Sequence, residues 1–381
     1  MTAPTRRAFL IVGFVLIAVA THRNVLADER PHARDLGLSP GVMESGPLDS
    51  ITDVAGVRVG HVTLVSGDSV RTGVTAILPH GGNLFQEKVP GAVSVGNAFG
   101  KLAGSTQVQE LGTIETPIVL TNTLAVGTAV DAVVGWTLEQ PGNEQVRSVN
   151  AVVGETNDGE LNDIRGGHVT RADVIDAIRS AKTGPVSEGA VGAGTGTIAF
   201  GWKGGIGTAS RRVPVQPDTW TVGVLVQTNF GGRLTMGGVP IWRELSPESR
   251  EARAEQSSAD GSCMIVVATD APLDARDLER LASRAIHAMA RTGSTYSNGS
   301  GDFAIAFSTH PSLRVRPGET PQSRTILPTD AISPLFEAVL DATEEAIYDS
   351  LLQAVDTSGN GRTVRALPVK DLQDVLKRYG R

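Results

Sequence analysis

The stretch Ala259-Asp260-Gly261-Ser262-Cys263-Met264-Ile265-Val266-Val267-Ala268-Thr269-Asp270-Ala271-Pro272-Leu273 passes abruptly from a polar run into a strand whose first residue carries a hydroxyl. Upstream, residues 246–260 (SPESREARAEQSSAD) are charged and lack apolar periodicity, which predicts an exposed, mobile loop. Downstream, Met264 to Ala268 is a short apolar run rich in β-branched residues and bounded by polar ones, the pattern of a buried core strand. A chain with this junction has to bury the strand and expose the loop that feeds it.

The junction also carries chemistry. If the Ser262 hydroxyl attacks the Gly261 carbonyl, the peptide becomes an ester, and hydrolysis leaves Ser262 with a free α-amino group beside its own hydroxyl. An α-amine has a reference pKa of roughly 7.7–8.0, close to where a general base works best at neutral pH. Gly261 has no side chain and tolerates the distorted backbone that such an attack demands. On composition alone, a Gly-Ser pair at a loop-to-strand junction is equally a simple turn. Cys263 is a second candidate nucleophile, but strand alternation turns neighbouring side chains to opposite faces, so it is expected to be a buried small apolar residue.

Segments along nearly the whole chain decide between these readings. They are Ile51 to Val62 (ITDVAGVRVGHV), Asn97 to Gly104 (NAFGKLAG), Glu110 to Thr123 (ELGTIETPIVLTNT), Gly154 to Asp163 (GETNDGELND), Gly192 to Arg211 (GAGTGTIAFGWKGGIGTASR) and Val226 to Gly232 (VQTNFGG). After the junction come Ser262 to Leu273, Arg291 to Ser294 (RTGS), Asn298 to Thr309 (NGSGDFAIAFST) and Arg365 to Pro368 (RALP). In this order they resemble the DmpA/BapA-type aminopeptidases, the L-aminopeptidase/D-Ala-esterases and β-peptidyl aminopeptidases, which mature by cutting themselves before a serine.

The resemblance implies roles. Ser262 is nucleophile and, through its new α-amine, base; cleavage falls between Gly261 and Ser262. Asn229 donates to the oxygen of the tetrahedral intermediate, where one such donor is typically worth on the order of 10²–10³ in rate; without the family match it reads as a turn Asn bonding its own backbone. Ser300 and Asp302 assist the nucleophile, and alternation puts both on one strand face if the strand begins there; some relatives carry Glu at the acidic position, and the bland alternative is an N-cap or turn. Glu155 binds the free amino group of the substrate, an arrangement in which a peptide lacking that charge leaves the carboxylate desolvated and unpaired. Asn157 stands where some relatives carry an aromatic residue. No metal or organic cofactor is implied, and the assembly expected is a homo-oligomer of αβ units.

A formal net charge of -7 without a basic cluster argues against nucleic acid as a partner. At the N-terminus, Thr5-Arg6-Arg7-Ala8-Phe9-Leu10 leads into an apolar run ending at Ala20, about thirteen residues, too short to span a bilayer but suited to a signal-peptide core. The paired arginines followed by Phe-Leu resemble a twin-arginine export signal; a basic start of the general secretory route looks similar. Val25-Leu26-Ala27 has the small-residue pattern of a cleavage site, with Ala20 as the weaker option, so residues 1–27 are read as a signal peptide and the mature chain as starting at Asp28. The expectation is a periplasmic or secreted protein with no stable membrane anchor after processing. Cys263 is the only cysteine, so no intramolecular disulfide is possible.

Three helices are signalled. Thr170 to Asp173 resembles a capping box, followed by Val174, Ala177, Ile178 and Ala181 on one face with Gly184-Pro185 as the stop. Asp274 to Ala290 carries Leu278, Leu281, Ala285, Ile286 and Met289, and Gly293 ends it. Ser333-Pro334 opens a third, with Leu335, Phe336, Val339, Leu340, Ile347 and Leu351. Val57 to Leu64, Val74 to Leu78, Pro117 to Leu120, Trp220 to Gln227, Cys263 to Ala268 and Phe303 to Phe307 read as strands. Strands and helices arrive in mixed order, which favours an α+β sandwich over a doubly wound sheet. The resemblance adds a four-layer α/β/β/α architecture similar to N-terminal nucleophile hydrolases with a different strand connectivity.

Other chemistries lack their parts. Gly192 to Gly207 is rich in glycine, but Lys203 is neither preceded by Gly nor followed by Ser or Thr as a phosphate loop requires, so the segment reads as a structural loop bordering the cleft. Lys182-Thr183-Gly184 is the end of a helix, and no Gly-x-Ser-x-Gly elbow exists. The histidines, His61 and His168 among them, are dispersed, without a zinc-binding pair. The reading is an exported serine aminopeptidase, matured at Gly261-Ser262 and releasing N-terminal residues from short peptides, amides or esters through an acyl-enzyme. Its alternatives are an acyltransferase of the ornithine-acetyltransferase kind, which frees a Thr instead, and a non-catalytic periplasmic peptide-binding protein.

Overall fold

The computed structural model describes Met1 and residues 30–247, 261–318 and 320–381. Pro31–Arg381 forms one compact unit; of the other, Met1–Arg30, only the two end residues are described. The signal-peptide reading of residues 1–27, the start at Asp28 and most of the loop read at 246–260 lie outside the described residues. Among the described residues, no helix is long and apolar enough to cross a membrane.

The strands are β1 (Arg58–Ser66), β2 (Val70–Leu78), β3 (Val89–Ala98), β4 (Leu102–Ala103), β5 (Thr113–Ile114), β6 (Ile118–Asn122), β7 (Val152–Thr156), β8 (Ile198–Ala199), β9 (Trp202–Lys203), β10 (Ile206–Val215), β11 (Asp218–Asn229), β12 (Ser262–Thr269) and β13 (Gly301–Ser308). The helices used below are α1 (Ser105–Leu111), α2 (Val126–Leu138), α3 (Arg171–Ser180), α4 (Ile241–Glu244), α5 (Ala275–Thr292) and α6 (Ser333–Leu352). One sheet runs β1-β2-β6-β7-β4 and the other β10-β11-β12-β13-β3-β5, with a small β8-β9 hairpin beside the second.

Side-chain alternation separates three apolar layers. Val74, Val119 and Val153 of the first sheet pack with Ala129, Val133, Val174 and Ile178 of α2 and α3. Ile77, Leu120 and Val152 meet Leu225, Met264, Val266, Phe303 and Ile305 between the sheets. Val224, Val226, Ile265, Val267, Ala304 and Ala306 face Leu281, Ala285, Val339 and Ile347 of α5 and α6. The result is the expected α+β arrangement of helices, sheet, sheet and helices.

The predicted helices form where their caps allow. Thr170 Oγ1 accepts from Asp173 N at 3.3 Å while Asp173 Oδ2 accepts from Thr170 N at 2.8 Å, completing the capping box. That helix stops at Ser180, before the Gly-Pro pair, because Lys182 is drawn into a bridge with Val59 of β1, donating at 3.1 Å and accepting at 3.0 Å. Asp274 caps α5 by accepting from Asp277 N at 3.0 Å, an interaction worth about 1 kcal/mol, and Gly293 at φ 100° ends it in the left-handed region. The central strand β12 is buried along its whole length between β11 and β13. Each fully buried Ile or Val there contributes roughly 1.5–3 kcal/mol, so the strand is a stiff support for the residue at its start.

Candidate active site

Asn229, Ser262, Ser300 and Asp302 lie where the three strands β11, β12 and β13 begin or end together. Asn229, the last residue of β11, pairs with Ser262, the first of β12, in antiparallel register. Ser262 pairs in turn with Gly301, the first residue of β13, in parallel register. In-register side chains share a face, so Asn229 and Ser262 point with Leu225 and Met264 toward the space between the sheets. Both are buried, at 7% and 5% exposure.

Cys263 lies on the far face, fully buried with Ile265 and Val267 against the helices, as expected. Burial pushes its thiol well above the ordinary range, helped by the nearby Asp302 carboxylate, so it stays protonated.

Asn229 does not bond its own backbone as a turn Asn would. Its Oδ1 accepts from Ile198 N, on β8, at 2.9 Å, which leaves Nδ2 with no partner among the described residues. A primary amide fixed through its oxygen presents its N–H groups elsewhere, the form an oxyanion donor needs.

The peptide carbonyl before Ser262 is also held. Gly261 O accepts from Gly301 N at 2.9 Å. A Cβ on Gly261 would lie 2.7 Å from Phe230 Cα and 2.9 Å from Asn229 O, so glycine is required here by the close approach of β11.

Ser300 stands one residue before β13, so strand alternation is not what relates it to Asp302; a direct hydrogen bond, Ser300 Oγ to Asp302 Oδ1 at 2.8 Å, does that instead. Asp302 pairs with Cys263 and belongs to the helix-side face, its Cβ 3.5 Å from the Cβ position of Gly96. Gly96 is the extra residue of a bulge in β3, where Asp302 opposes Asn97 and Phe303 opposes Val95. Asp302 Oδ2 is buried without a partner among the described residues. Burial pushes the Asp302 carboxyl up to about 6, against the lowering pull of the Ser300 hydroxyl.

Glu155 comes from the opposite sheet, in β7, and is 1% exposed. The sheets approach closely here: a Cβ on Gly154 would fall 2.7 Å from Met264 Sδ. The Cβ position of Gly100 is 3.0 Å from Gly301 Cα and 3.5 Å from Glu155 Oε1, which brings the carboxylate to the strand end that pairs with Ser262. Oε1 accepts from Lys101 N at 3.0 Å, and Oε2 accepts from the Thr123 hydroxyl. The Lys101 ammonium lies 3.8 Å from Oε1 and is half exposed. Nothing local in the sequence marks Lys101 or Thr123 for this role, although both lie in segments that carry the resemblance, NAFGKLAG and ELGTIETPIVLTNT. Asn157 is exposed and accepts from Gly159 N at 2.9 Å, the geometry of an Asx turn.

His61 Nδ1 meets Thr75 Oγ1 at 2.9 Å, and burial pushes its pKa down to about 4. Among the described residues, one group has ligand atoms close enough to hold a cation, His32 with Glu188 and Asp349. There the Asp349 carboxylate, 3.7 Å from Nδ1, raises His32 to about 9, so a protonated imidazole already supplies the positive charge.

The chain is similar to known proteins over nearly its whole length. The model of peptidase family S58 matches residues 49–364. A beta-peptidyl aminopeptidase BapA from Sphingosinicella microcystinivorans is 42% identical, over 98% of this chain and 97% of its own. Among solved structures, a beta-aminopeptidase from Burkholderia sp. superimposes with a TM-score of 0.84 at 38% identity, covering 92% of this chain and 99% of that one. An L-aminopeptidase D-Ala-esterase/amidase from Ochrobactrum anthropi, a prototype for the serine aminopeptidases with a variant of the Ntn hydrolase fold, gives 0.86 at 36% identity with the same coverage.

Proposed function

The chain belongs to peptidase family S58 and is an aminopeptidase, and from that premise we propose that it matures itself by cleavage between Gly261 and Ser262 and then works through Ser262 as an N-terminal nucleophile. The observation that carries this reading is the shared register of Asn229, Ser262 and Gly301, with the Gly261 carbonyl already accepting from Gly301 N. In maturation the Ser262 hydroxyl adds to that carbonyl, the C–N bond breaks, and the nitrogen leaves as the Ser262 α-amine. Water then hydrolyses the ester and frees the Gly261 carboxylate.

In turnover the α-amine takes the proton of the Ser262 hydroxyl as it attacks the substrate carbonyl, then returns it to the leaving amine. Asn229 Nδ2 donates to the developing oxyanion. Ser300, held by Asp302, orients the nucleophile, and Glu155 takes the substrate ammonium. Short peptides, amides or esters with a free amine are the substrate class; the likeness to a beta-peptidyl aminopeptidase makes an N-terminal β-amino acid the first residue to try beside L- and D-residues. We assign the unprocessed chain to export through its arginine-pair signal, and the active form to a periplasmic or secreted homo-oligomer of αβ units.

Intact-mass analysis of the purified protein tests the reading. Two chains parted between residues 261 and 262 are expected. One unbroken chain, active or not, overturns self-processing at this junction.

A further inference from the structure

We propose that Lys203 is a positioning residue for Asn229, holding the oxyanion donor in its working orientation; this rests on the oxyanion role assigned above. Lys203 lies on β9 and is fully buried, a position an ammonium occupies only when it is hydrogen-bonded. Its Nζ donates to Gly194 O at 2.9 Å and to Gly204 O at 2.7 Å. Those carbonyls stand before and after the β8-β9 hairpin, so one ammonium ties both of its ends. Across the hairpin Lys203 pairs with Ile198, and Ile198 N is the donor that fixes Asn229 Oδ1 at 2.9 Å. A single backbone pair therefore separates the buried charge from the carboxamide.

A second buried ionisable group stands near the ammonium. Asp158, also buried, accepts from Asn162 Nδ2 through Oδ1 at 3.0 Å, and its Cβ is 3.0 Å from the Cβ position of Gly196 within the same loop. Burial pushes Lys203 down to about 7 and Asp158 up to about 6, so the dry interior opposes both charges and their mutual attraction supports them. Without the ammonium, Gly204 O loses the partner it has here, the bond from Gly204 N to Thr197 O at 3.1 Å is left to close the hairpin base, and the hold of Ile198 N on the Asn229 amide loosens.

A double-mutant cycle separates positioning from simple structural support. Lys203→Met, Asn229→Ala and the pair are purified, and kcat and KM are measured per mole of matured protein on a short peptide amide. Asn229→Ala is expected to lower kcat by about 10²–10³. Lys203→Met should lower it about 10–50-fold with KM within about threefold, and the double variant should match Asn229→Ala within about twofold, because the donor it acts through is already gone. Multiplied losses in the double variant, or wild-type kcat in Lys203→Met, overturn the proposal. Wild-type kcat in Asn229→Ala instead overturns the oxyanion assignment itself. If Lys203→Met does not fold, Lys203→Gln, which removes the charge and keeps a donor, takes its place in the same cycle, and multiplied losses there overturn the proposal as well.

Discussion

The backbone N–H of Gly301 donates to the carbonyl oxygen of Gly261 at 2.9 Å. The bond runs across the parallel pairing of β12 and β13, so the residue between Ser300 and Asp302 is the one that grips the carbonyl next to the proposed nucleophile. Such a donor stabilises negative charge on that oxygen as the Ser262 hydroxyl adds, without any rearrangement of the strand ends.

Gly261→Ala should therefore slow self-cleavage. The new Cβ meets backbone atoms, Phe230 Cα and Asn229 O, which cannot swing aside as a side chain would. Overpacking of this kind typically costs about 1–3 kcal/mol, and displacing the carbonyl from Gly301 N by that much lowers the splitting rate about tenfold or more. A denaturing-gel time course reads the rate, and splitting at the wild-type pace would show that the junction does not need its glycine.

Ser262→Ala and Cys263→Ala should part company. The first removes the hydroxyl and is expected to give an unbroken, inactive chain. The second changes a side chain buried against α5 and α6, so the protein should mature and keep its kcat while losing about 1 kcal/mol or more of stability to the small cavity. A folded, cleaved and inactive Cys263→Ala protein would move the nucleophile to the thiol.

In the proposed mechanism Asp302 adds a second acid limb near pH 6, below the one set by the Ser262 α-amine as base, whose reference pKa is roughly 7.7–8.0. Its folded-state pKa is raised to about 6 by burial, so the ionised form that accepts from Ser300 is lost as pH falls through that value, and kcat should fall with it. Stability moves the other way. The native state holds this proton more tightly than the unfolded chain, whose Asp titrates near roughly 3.9, so the contribution present below about pH 4 fades as pH rises through about 6. Asp302→Asn should remove the limb near pH 6 and lower kcat about tenfold at neutral pH; an unchanged limb would assign it to another group.

Much of this could be read from the sequence because the deciding elements carry local signals. The β12 strand is apolar on both faces, α5 has its Asp274 and Gly293 caps, and the resemblance gives Glu155, Asn229, Ser262, Ser300 and Asp302 their expected roles. What stayed hidden depends on contacts between distant segments. Helix α2 (VGTAVDAVVGWTL) is poor in helix formers and holds two glycines; packing on the first sheet makes it helical. Strand β10 begins Ile-Gly-Thr-Ala-Ser because α6 presses on it: a Cβ on Gly207 would fall 1.9 Å from Ala346 O, an approach no propensity scale records. The bond that ties Asn229 to Ile198 joins residues 31 positions apart, and the bonds from Lys101 and Thr123 to Glu155 span 54 and 32.

Glu155 offers the sharpest separation of the two reactions. Its carboxylate is buried and already accepts from Lys101 N and the Thr123 hydroxyl, with the half-exposed Lys101 ammonium 3.8 Å from Oε1, and it keeps lone pairs for the substrate ammonium as a further donor. Self-cleavage acts on an internal peptide that has no free amine, so Glu155→Gln should mature normally. For peptides with a free N-terminus the same change should lower kcat/KM by roughly 2–4 kcal/mol, the scale of breaking one half of a desolvated charge pair. N-acetylated peptides should be poor substrates of the wild type for the same reason. Steady-state kinetics on a matched pair, free and N-acetylated, decide it. Equal turnover of the two by the wild-type enzyme would remove Glu155 from substrate recognition and leave its hydrogen bonds to segments 101 and 123 as its role.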